Sequence, residues 1–342
     1  MPRTSIREVA RRAGVSVGTV SNVLNRPDLV AEDTRSRVRS AIDELGFVRN
    51  ESARRLRQDP DGHRVTTPRR TLGLILADLA NPFYTDMARG AEEAMDAAGV
   101  DAIWATNDGD PAKQDRCLDL LSAQRAAGVL ITPAGLDGDR VARLREHGIS
   151  VVLVDALLPG VCSATVDHVA GGYAAVTHLL RERPRRIAFV TGALTGPSPT
   201  SRPLRDRLVG AARALEGVDM DKPAILSEPT MSTTAGQAAA RRLLALKRPP
   251  SAVFCANDMM AIGLLNELIR VGVKVPAEIA VVGYDDIELA ETSAIPLTTV
   301  RQPRHQLGRI AAELLLAETA YTDGHLHRQI VLTPELVIRD SA

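Results

Sequence analysis

The chain has 342 residues, with 42 Lys and Arg against 42 Asp and Glu, so its formal net charge is zero. It is 45% hydrophobic and 25% charged, which excludes a disordered chain, and its length favours two or three domains. It contains no run of 18 apolar residues and no apolar stretch near its N-terminus, so we expect a cytoplasmic protein without a membrane span or secretory signal. Three widely spaced cysteines exclude a disulfide framework and fit a reducing compartment.

The zero net charge hides an asymmetry along the chain. Residues 1–70 contain 15 Arg and 9 acidic residues, a balance of +6, and the remainder carries −6. A basic N-terminal segment on an acidic body predicts that the segment binds a polyanion.

Residues 1–49 predict a small all-α domain. Apolar residues recur at helical spacing over Ile6–Ala13, where Ser5 and Glu8 form a capping box. Gly14 allows a tight turn, Ser16 caps a second helix, and a third helical pattern ends near residue 46. This spacing is typical of a helix-turn-helix, although a generic helical hairpin docked on another protein is the alternative.

The second helix presents small and polar residues on its outer face. Asn22 can form a bidentate contact with adenine. The hydroxyl groups of Ser16, Thr19 and Ser21 can donate hydrogen bonds to phosphate oxygens. Gly18 has no side chain to read a base, and Val17 offers only apolar contact, for example with a thymine methyl group. The predicted DNA contacts of this domain are Ser16, Val17, Gly18, Thr19, Ser21, Asn22 and Asn25.

Residues 57–70 are polar, contain two prolines and show no periodicity, which predicts a flexible linker. The preceding segment, 50–56, is rich in arginine. Taken by itself, it is typical of the last turn of a solvated surface helix.

From Thr71 the pattern changes to apolar strands separated by Ala-rich helices, which predicts doubly wound parallel sheets. About 270 residues are too many for one domain built on a single such sheet, so we expect two similar lobes. The predicted strands are Leu72–Ala77, Ala102–Thr106, Val129–Thr132, Val151–Val154, Ile187–Val190, Ala252–Cys255 and Ile279–Val282.

Polar residues recur just past the carboxyl ends of these strands, where open α/β sheets bind ligands. Each alone fits an ordinary loop residue or helix cap, but several facing each other across two lobes favour a cleft. They are Asp78, Asn107, Asp108, Asp155, Thr191, Asn257, Asp258, Tyr284, Asp285 and Asp286.

The chain resembles the lactose-repressor/galactose-repressor (LacI/GalR) family of transcription regulators along essentially its whole length. In the N-terminal helical domain, residues 1–49, the resemblance rests on Val9-Ala10, Ala13–Ser16, Thr19–Ser21 and Val23–Asn25. In the body, it rests on Asn81–Tyr84, Val166-Asp167, Gly171-Gly172, Arg207–Gly210, Asn257–Gly263, Val282–Asp286 and Pro296–Val300.

The resemblance implies a helix-turn-helix domain over 1–49, a hinge helix and linker over 50–70, and an effector-binding body over 71–342. The body is expected to resemble periplasmic sugar-binding proteins, with an N-lobe of about 71–162 and 298–324 and a C-lobe of about 163–297 and 325–342. In the hinge helix, Leu56 is the expected wedge between bases in the minor groove. The hinge residues expected to contact DNA are Asn50, Ala53, Arg54 and Leu56.

The resemblance also implies an effector site in the body. Met231 stands where relatives place a large aromatic residue, and core packing is its alternative role. Asp258 is expected to cap the following helix rather than contact the effector. The expected effector contacts are Phe83, Tyr84, Asp155, Arg207, Met231, Asn257 and Asp285.

We therefore expect a repressor that binds a near-palindromic double-stranded DNA operator as a homodimer or tetramer, controlled by a small effector such as a sugar. A sugar-binding protein without a regulatory role is the alternative. An enzyme is the third hypothesis, but no phosphate-binding loop, nucleophile elbow or zinc-protease motif occurs in the sequence. No cofactor and no metal are expected, and His325 and His327 fit a solvated turn.

Overall fold

The computed structural model describes residues 5–45, 47, 70–181, 186–194, 202–320 and 325–342. The chain divides into two compact units, a head of residues 1–66 and a body of residues 67–342. Within the described ranges, no helix is long and apolar enough to cross a membrane.

The described part of the head, residues 5–45 and 47, contains three helices and one 3₁₀ turn, Pro27–Leu29. Ser5 and Glu8 form the expected capping box, and Gly14 ends the first helix in the left-handed conformation. The apolar faces of the three helices meet in one small core that excludes water completely from Val9, Val20 and Val38. The helices are α1 (Ile6–Ala13), α2 (Val17–Asn25) and α3 (Glu32–Leu45).

The first lobe of the body is built on a six-stranded parallel sheet with the order β2-β1-β3-β4-β5-β11. Its central strands are apolar on both faces because helices cover both sides. The strands are β1 (Thr71–Leu76), β2 (Asp101–Thr106), β3 (Gly128–Ile131), β4 (Ser150–Val154), β5 (Cys162–Val166) and β11 (Gln329–Leu332).

The second lobe has a sheet with the order β7-β6-β8-β9-β10-β12, in which only the edge strand β12 is antiparallel. Both sheets therefore have doubly wound topology, as the sequence predicts. The strands are β6 (Ile187–Thr191), β7 (Ala224–Ser227), β8 (Ala252–Cys255), β9 (Ala280–Asp285), β10 (Thr298–Arg301) and β12 (Glu335–Val337).

Helices flank each sheet. Those of the first lobe are α4 (Pro82–Ala97), α5 (Pro111–Ala123), α6 (Gly138–Glu146) and α12 (Arg304–Ala320). Those of the second lobe are α7 (His168–Arg181), α8 (Arg202–Ala214), α9 (Thr233–Leu244), α10 (Asp258–Arg270) and α11 (Glu288–Thr292).

The chain passes between the lobes three times, and the lobe boundaries differ from the expected ones. The first crossing follows β5, so residues 163–166 belong to the first lobe. The second follows β10, which pairs with β9 in the second lobe rather than joining the first. The third lies between β11 and β12, so the C-terminal segment contributes one strand to each sheet. These crossings are only one or two residues long: Asp167, Gln302-Pro303 and Thr333-Pro334.

Three helix pairs of the body pack with their backbones in contact. In each pair, one glycine on each helix faces the backbone of the other helix, so an added Cβ would overlap a carbonyl oxygen. Only glycine permits so close an approach. The pairs are α4 with α12 through Gly90 and Gly308, α7 with α8 through Gly172 and Gly210, and α9 with α10 through Gly236 and Gly263.

Candidate functional site

A cleft of about 520 Å³, its open mouth included, lies where the carboxyl ends of both sheets face each other. Both sheets contribute because each has its topological switch point at this edge. All seven residues expected to contact an effector line this one cleft: Phe83, Tyr84, Asp155, Arg207, Met231, Asn257 and Asp285.

Arg207 lies at the centre of the polar wall. It projects from α8, is 6% exposed, and its guanidinium carbon lies 3.8 Å from the centre of the Tyr284 ring. Its Nη1 donates to the Ala256 carbonyl, and its Nη2 lies 4.0 Å from Oδ1 of Asp285. Neighbouring protein groups therefore hold the guanidinium in one orientation before any ligand arrives.

Asp285 connects the two lobes. It ends β9 with a positive φ of 117° and is 3% exposed. Its Oδ2 accepts from Asn81 Nδ2 of the first lobe at 3.3 Å, and its Oδ1 accepts from Gln302 Nε2 at the second crossing at 2.6 Å. Burial, with the charge of Asp155, raises the pKa of Asp285 to about 6 against the pull of Arg207 and both amides.

His168 lies behind the cleft wall, contacts two residues that line the cleft, and was not predicted from the sequence. It is the first residue of α7 after the first crossing, and it is 3% exposed. Its Nε2 lies 3.2 Å from Oδ1 of Asp155, and its Nδ1 lies 3.2 Å from the Tyr284 hydroxyl and 3.4 Å from Arg207 Nε. Burial and the Arg207 charge lower the pKa of His168, so the neutral ring donates to Asp155 and accepts from its other neighbours.

Asp155 has a depressed pKa although it is buried. Burial alone would raise its pKa, but the hydrogen bonds from His168 and Thr165 and the charge of Arg207 outweigh that effect. The carboxylate is therefore ionised at neutral pH and available to accept hydrogen bonds in the cleft.

The helix cap of α10 is Asn257 rather than the expected Asp258, while Asn257 also lines the cleft. Asn257 caps α10, since its Oδ1 accepts from the Met260 amide at 2.9 Å, and its Nδ2 donates to the Met231 carbonyl at 3.1 Å. Asp258 is fully buried and instead accepts from the Ile287 amide and the Thr299 hydroxyl. Asn257 is the cap because its backbone is extended, with φ −149°, whereas Asp258 is already the first residue of the helix.

The apolar wall of the cleft offers one aromatic surface. Phe83 is 3% exposed and packs edge-on against Tyr84, which lines the cleft. Burial and the nearby carboxylates raise the pKa of Tyr84, so its hydroxyl remains a donor. Met231 lines the cleft and also packs against the core beside Gly192, so its core packing is observed and its contact with an effector stays a prediction.

In the head, α2 places its predicted DNA contacts at the surface. Val17, Gly18 and Asn22 are exposed, and Ser16 caps the helix by accepting from the Thr19 amide at 3.0 Å. Ser21 is half-buried. Asn25 ends α2, but its side chain lies outside the described part of the structure, as do the hinge residues Asn50, Ala53, Arg54 and Leu56.

Known protein families match this chain in both the head and the body. The model of the family described as "Bacterial regulatory proteins, lacI family" matches residues 5–50, and a periplasmic binding protein-like domain matches residues 176–342. The HTH-type transcriptional repressor PurR of Photobacterium profundum is 34% identical over 98% of both chains. That of Haemophilus influenzae strain Rd is 31% identical, also over 98% of both chains.

Solved structures give the same result. A complex of the transcriptional regulator CelR with cellobiose covers 99% of this chain and 100% of its own, with 30% identity and a TM-score of 0.70. The lac repressor dimer bound to operator and an anti-inducer covers 99% of both chains, with 25% identity and a TM-score of 0.72.

The fold and the matches define a DNA-binding transcriptional repressor with an effector-binding body, not an enzyme. The chain belongs to the lacI family of bacterial regulatory proteins. Its operator binding is modulated by a small molecule, as the resemblance implies.

Proposed function

We propose that the effector is a sugar or a related polyol held between Asp155 and Asp285, with Arg207 beside them. The observation that supports this proposal is that the carboxylates of Asp155 and Asp285 lie in the cleft on either side of the pre-oriented Arg207 guanidinium. Adjacent hydroxyls can donate to carboxylates and accept from a guanidinium at once, which one polar face of a sugar does.

The apolar wall supports the same class of ligand. Tyr84 offers one aromatic ring, and Met231, Leu204 and Val154 supply aliphatic contacts. One ring suits the apolar face of a pyranose or furanose, whereas a flat nucleobase gains most when it is stacked on both faces. The likeness to a regulator solved with cellobiose adds support for a sugar.

The effector acts by changing the angle between the lobes. Asn81 and Asp285 join the lobes by a hydrogen bond of 3.3 Å across the cleft. A ligand that takes over the Asp285 carboxylate replaces this bond with its own contacts to both lobes. Because the ligand binds the two arrangements of the lobes with different affinity, it shifts the equilibrium between operator-bound and operator-free protein.

On the DNA side, the protein works in the cytoplasm as a homodimer, each head reading half of a near-palindromic operator through α2. Asn22 is the base-reading residue, and the hydroxyls of Ser16 and Thr19 lie at the helix N-terminus, where phosphates bind. The lac repressor dimer bound to operator, which this chain resembles, supports this assignment.

A thermal-shift screen of the full chain against sugars, polyols and nucleobases tests the ligand class. We expect a polyol to raise the melting temperature and calorimetry to give one site per chain. Asp155→Asn and Asp285→Asn should each lower affinity about 10–100-fold, since each weakens a charge-assisted hydrogen bond. Asp96→Asn, an exposed carboxylate on α4, is the matched control.

Stabilisation by nucleobases alone would contradict the sugar proposal. Unchanged affinity in both cleft variants would contradict the site. A gel-shift assay with each hit then determines whether it releases the operator or favours binding.

A further inference from the structure

A second cluster of chemically reactive side chains lies in the first lobe. Cys162 begins β5, Glu318 lies in the last turn of α12, and His325 and His327 precede β11. One ligand-type atom from each of these four residues falls within 4.8 Å of the other three. The sequence predicts a solvated turn for both histidines, but the pairing of β11 with β5 brings them to the buried thiol.

The spacing of the cluster is that of a tetrahedral metal site. The Cys162 sulfur lies 3.2 Å from Nε2 of His325 and 3.7 Å from Nδ1 of His327. Nδ1 of His327 lies 3.9 Å from Oε2 of Glu318. Ligands bound tetrahedrally to Zn²⁺ at its usual bond lengths are about 3.3–3.7 Å apart, so small side-chain movements suffice.

Glu318 supplies an independent indication of a ligand. Its side chain is 6% exposed, and Arg145 approaches only one carboxylate oxygen, with Nη2 3.3 Å from Oε1. The other oxygen, Oε2, is buried, has no hydrogen-bond partner among the described residues, and lies on the His327 side. A buried carboxylate oxygen without a donor is costly, and a cation in the cluster would satisfy it.

The donor set selects the kind of ion. One sulfur, two imidazole nitrogens and one carboxylate oxygen suit zinc and similar transition metals, whereas Mg²⁺ and Ca²⁺ require mainly oxygen donors. His327 is exposed and provides an entry path, while Cys162 and Glu318 are buried. Arg145 also donates to the Gly160 carbonyl at 2.9 Å, which anchors it outside the four donors.

We propose that Cys162, Glu318, His325 and His327 form a binding site for a single Zn²⁺-type cation. The site lies at the amino end of β5, at the opposite end of the first sheet from the effector cleft. It joins the segment before β11 to α12 and β5, so the ion stabilises the first lobe. Arg70, which precedes β1, donates to the Thr319 carbonyl beside Glu318, so the ion also orders the point where the body begins.

The test uses tag-free, full-length protein treated with a chelator and dialysed. Titration with Co²⁺ should give one equivalent, with the intense near-ultraviolet band of a Co–thiolate bond and the visible bands of tetrahedral cobalt. Zn²⁺ should displace Co²⁺ and raise the melting temperature by several degrees, and Mg²⁺ should change neither.

Variants of the four residues assign the site. Cys162→Ser should lose the thiolate band, and Glu318→Gln, which keeps an oxygen for Arg145, should weaken binding about 10–100-fold. Because Cys162 is buried and its replacement can unfold the lobe, His327→Ala at the surface provides a second variant and should weaken binding at least tenfold. Cys117→Ser and His147→Ala are matched controls outside the cluster and should retain full binding.

Three results would overturn the proposal. They are the absence of a stoichiometric Co²⁺ spectrum, an unchanged thiolate band in folded Cys162→Ser, and equal Zn²⁺ affinity in wild type and His327→Ala. In each case the cluster is a hydrogen-bonded thiol, imidazole and carboxylate group without an ion.

Discussion

The outer face of α2 and the interlobe cleft differ in where their polar groups find partners. On α2, Ser16 and Thr19 bond within one turn of the same helix, and Asn22 is exposed. In the cleft, Arg207, Asp285 and their neighbours come from separate elements and are bonded to each other. We infer that removing an exposed side chain from α2 changes recognition alone, whereas removing a buried side chain from the cleft changes recognition and stability together.

Arg207→Ala should show the largest effect. It leaves Asp155 and Asp285 buried without their cation, which costs about 3–5 kcal/mol in the free energy of unfolding. It also removes the central donor of the cleft, so effector affinity should fall at least tenfold. Denaturant unfolding and calorimetry measure the two losses separately.

Arg213→Ala is the control for this variant, because Arg213 is exposed on the same helix. Full effector affinity in a destabilised Arg207→Ala protein would assign the side chain a purely structural role. Lost affinity without lost stability would contradict the coupling of the two properties in the cleft.

The pH dependence of stability should come next in size. The pKa of Asp285 is raised from 3.8 to about 6, so the folded protein binds this proton more tightly than the unfolded chain does. The contribution of Asp285 is therefore full below about pH 4 and is lost as the pH rises through about 6. Between pH 4.5 and 7.5 the loss is about 2 kcal/mol.

Asp285→Asn should remove this component. The difference in unfolding free energy between wild type and variant should therefore change by about 2 kcal/mol between the two pH values, while other groups cancel. A difference that stays constant across this range would mean that Asp285 ionises as it does in the unfolded chain.

Asn22→Ala should change DNA reading without changing stability. Loss of a bidentate base contact costs about 1–3 kcal/mol at one operator position. Selection from a random DNA pool with wild type and variant measures the preference at each position. Ser40→Ala, exposed on α3, is the control, and an identical consensus for Asn22→Ala would remove Asn22 from base reading.

Gly18→Ala should have the smallest effect. Among the described residues, an added Cβ would contact the Ser16 hydroxyl oxygen alone, at an ordinary distance of 3.5 Å. Alanine should therefore stabilise α2 by about 1 kcal/mol, measured by hydrogen exchange of the helix amides. Loss of operator affinity in this variant would show that DNA approaches the α2 backbone too closely for a methyl group.

The sequence predicts strands well where they are runs of branched apolar residues, as in β1 and β4. It misses five strands: β5, whose Cys, Ser, Ala and Thr lack that composition, β10, which is polar at three of its four positions, and the edge strands β7, β11 and β12, which are partly exposed. These elements acquire strand structure from pairing with strands elsewhere in the chain. Strand propensity, which depends on the local sequence, does not detect such pairing.

The cleft was predictable as far as residues followed strands or matched family motifs. His168 and Gln302 lie beside the lobe crossings rather than after a predicted strand, so no pattern identified them. Asn257 and Asp258 were distinguishable only by backbone geometry, because both residue types cap helices. The Cys162 cluster depends on β11 pairing with β5, a contact between residues more than 160 positions apart.

The paired glycines of the helices determine how the body can deform. Two helices whose backbones touch at both glycines cannot slide past each other without a collision of carbonyl groups, so each lobe responds to force as a rigid piece. We therefore expect movement of one lobe relative to the other to occur at the three short crossings, which together act as one pivot. Gln302 lies on that pivot and bonds directly to Asp285. If the proposed effector binds this carboxylate, we expect the two lobes to rotate about the crossings with little rearrangement inside either lobe.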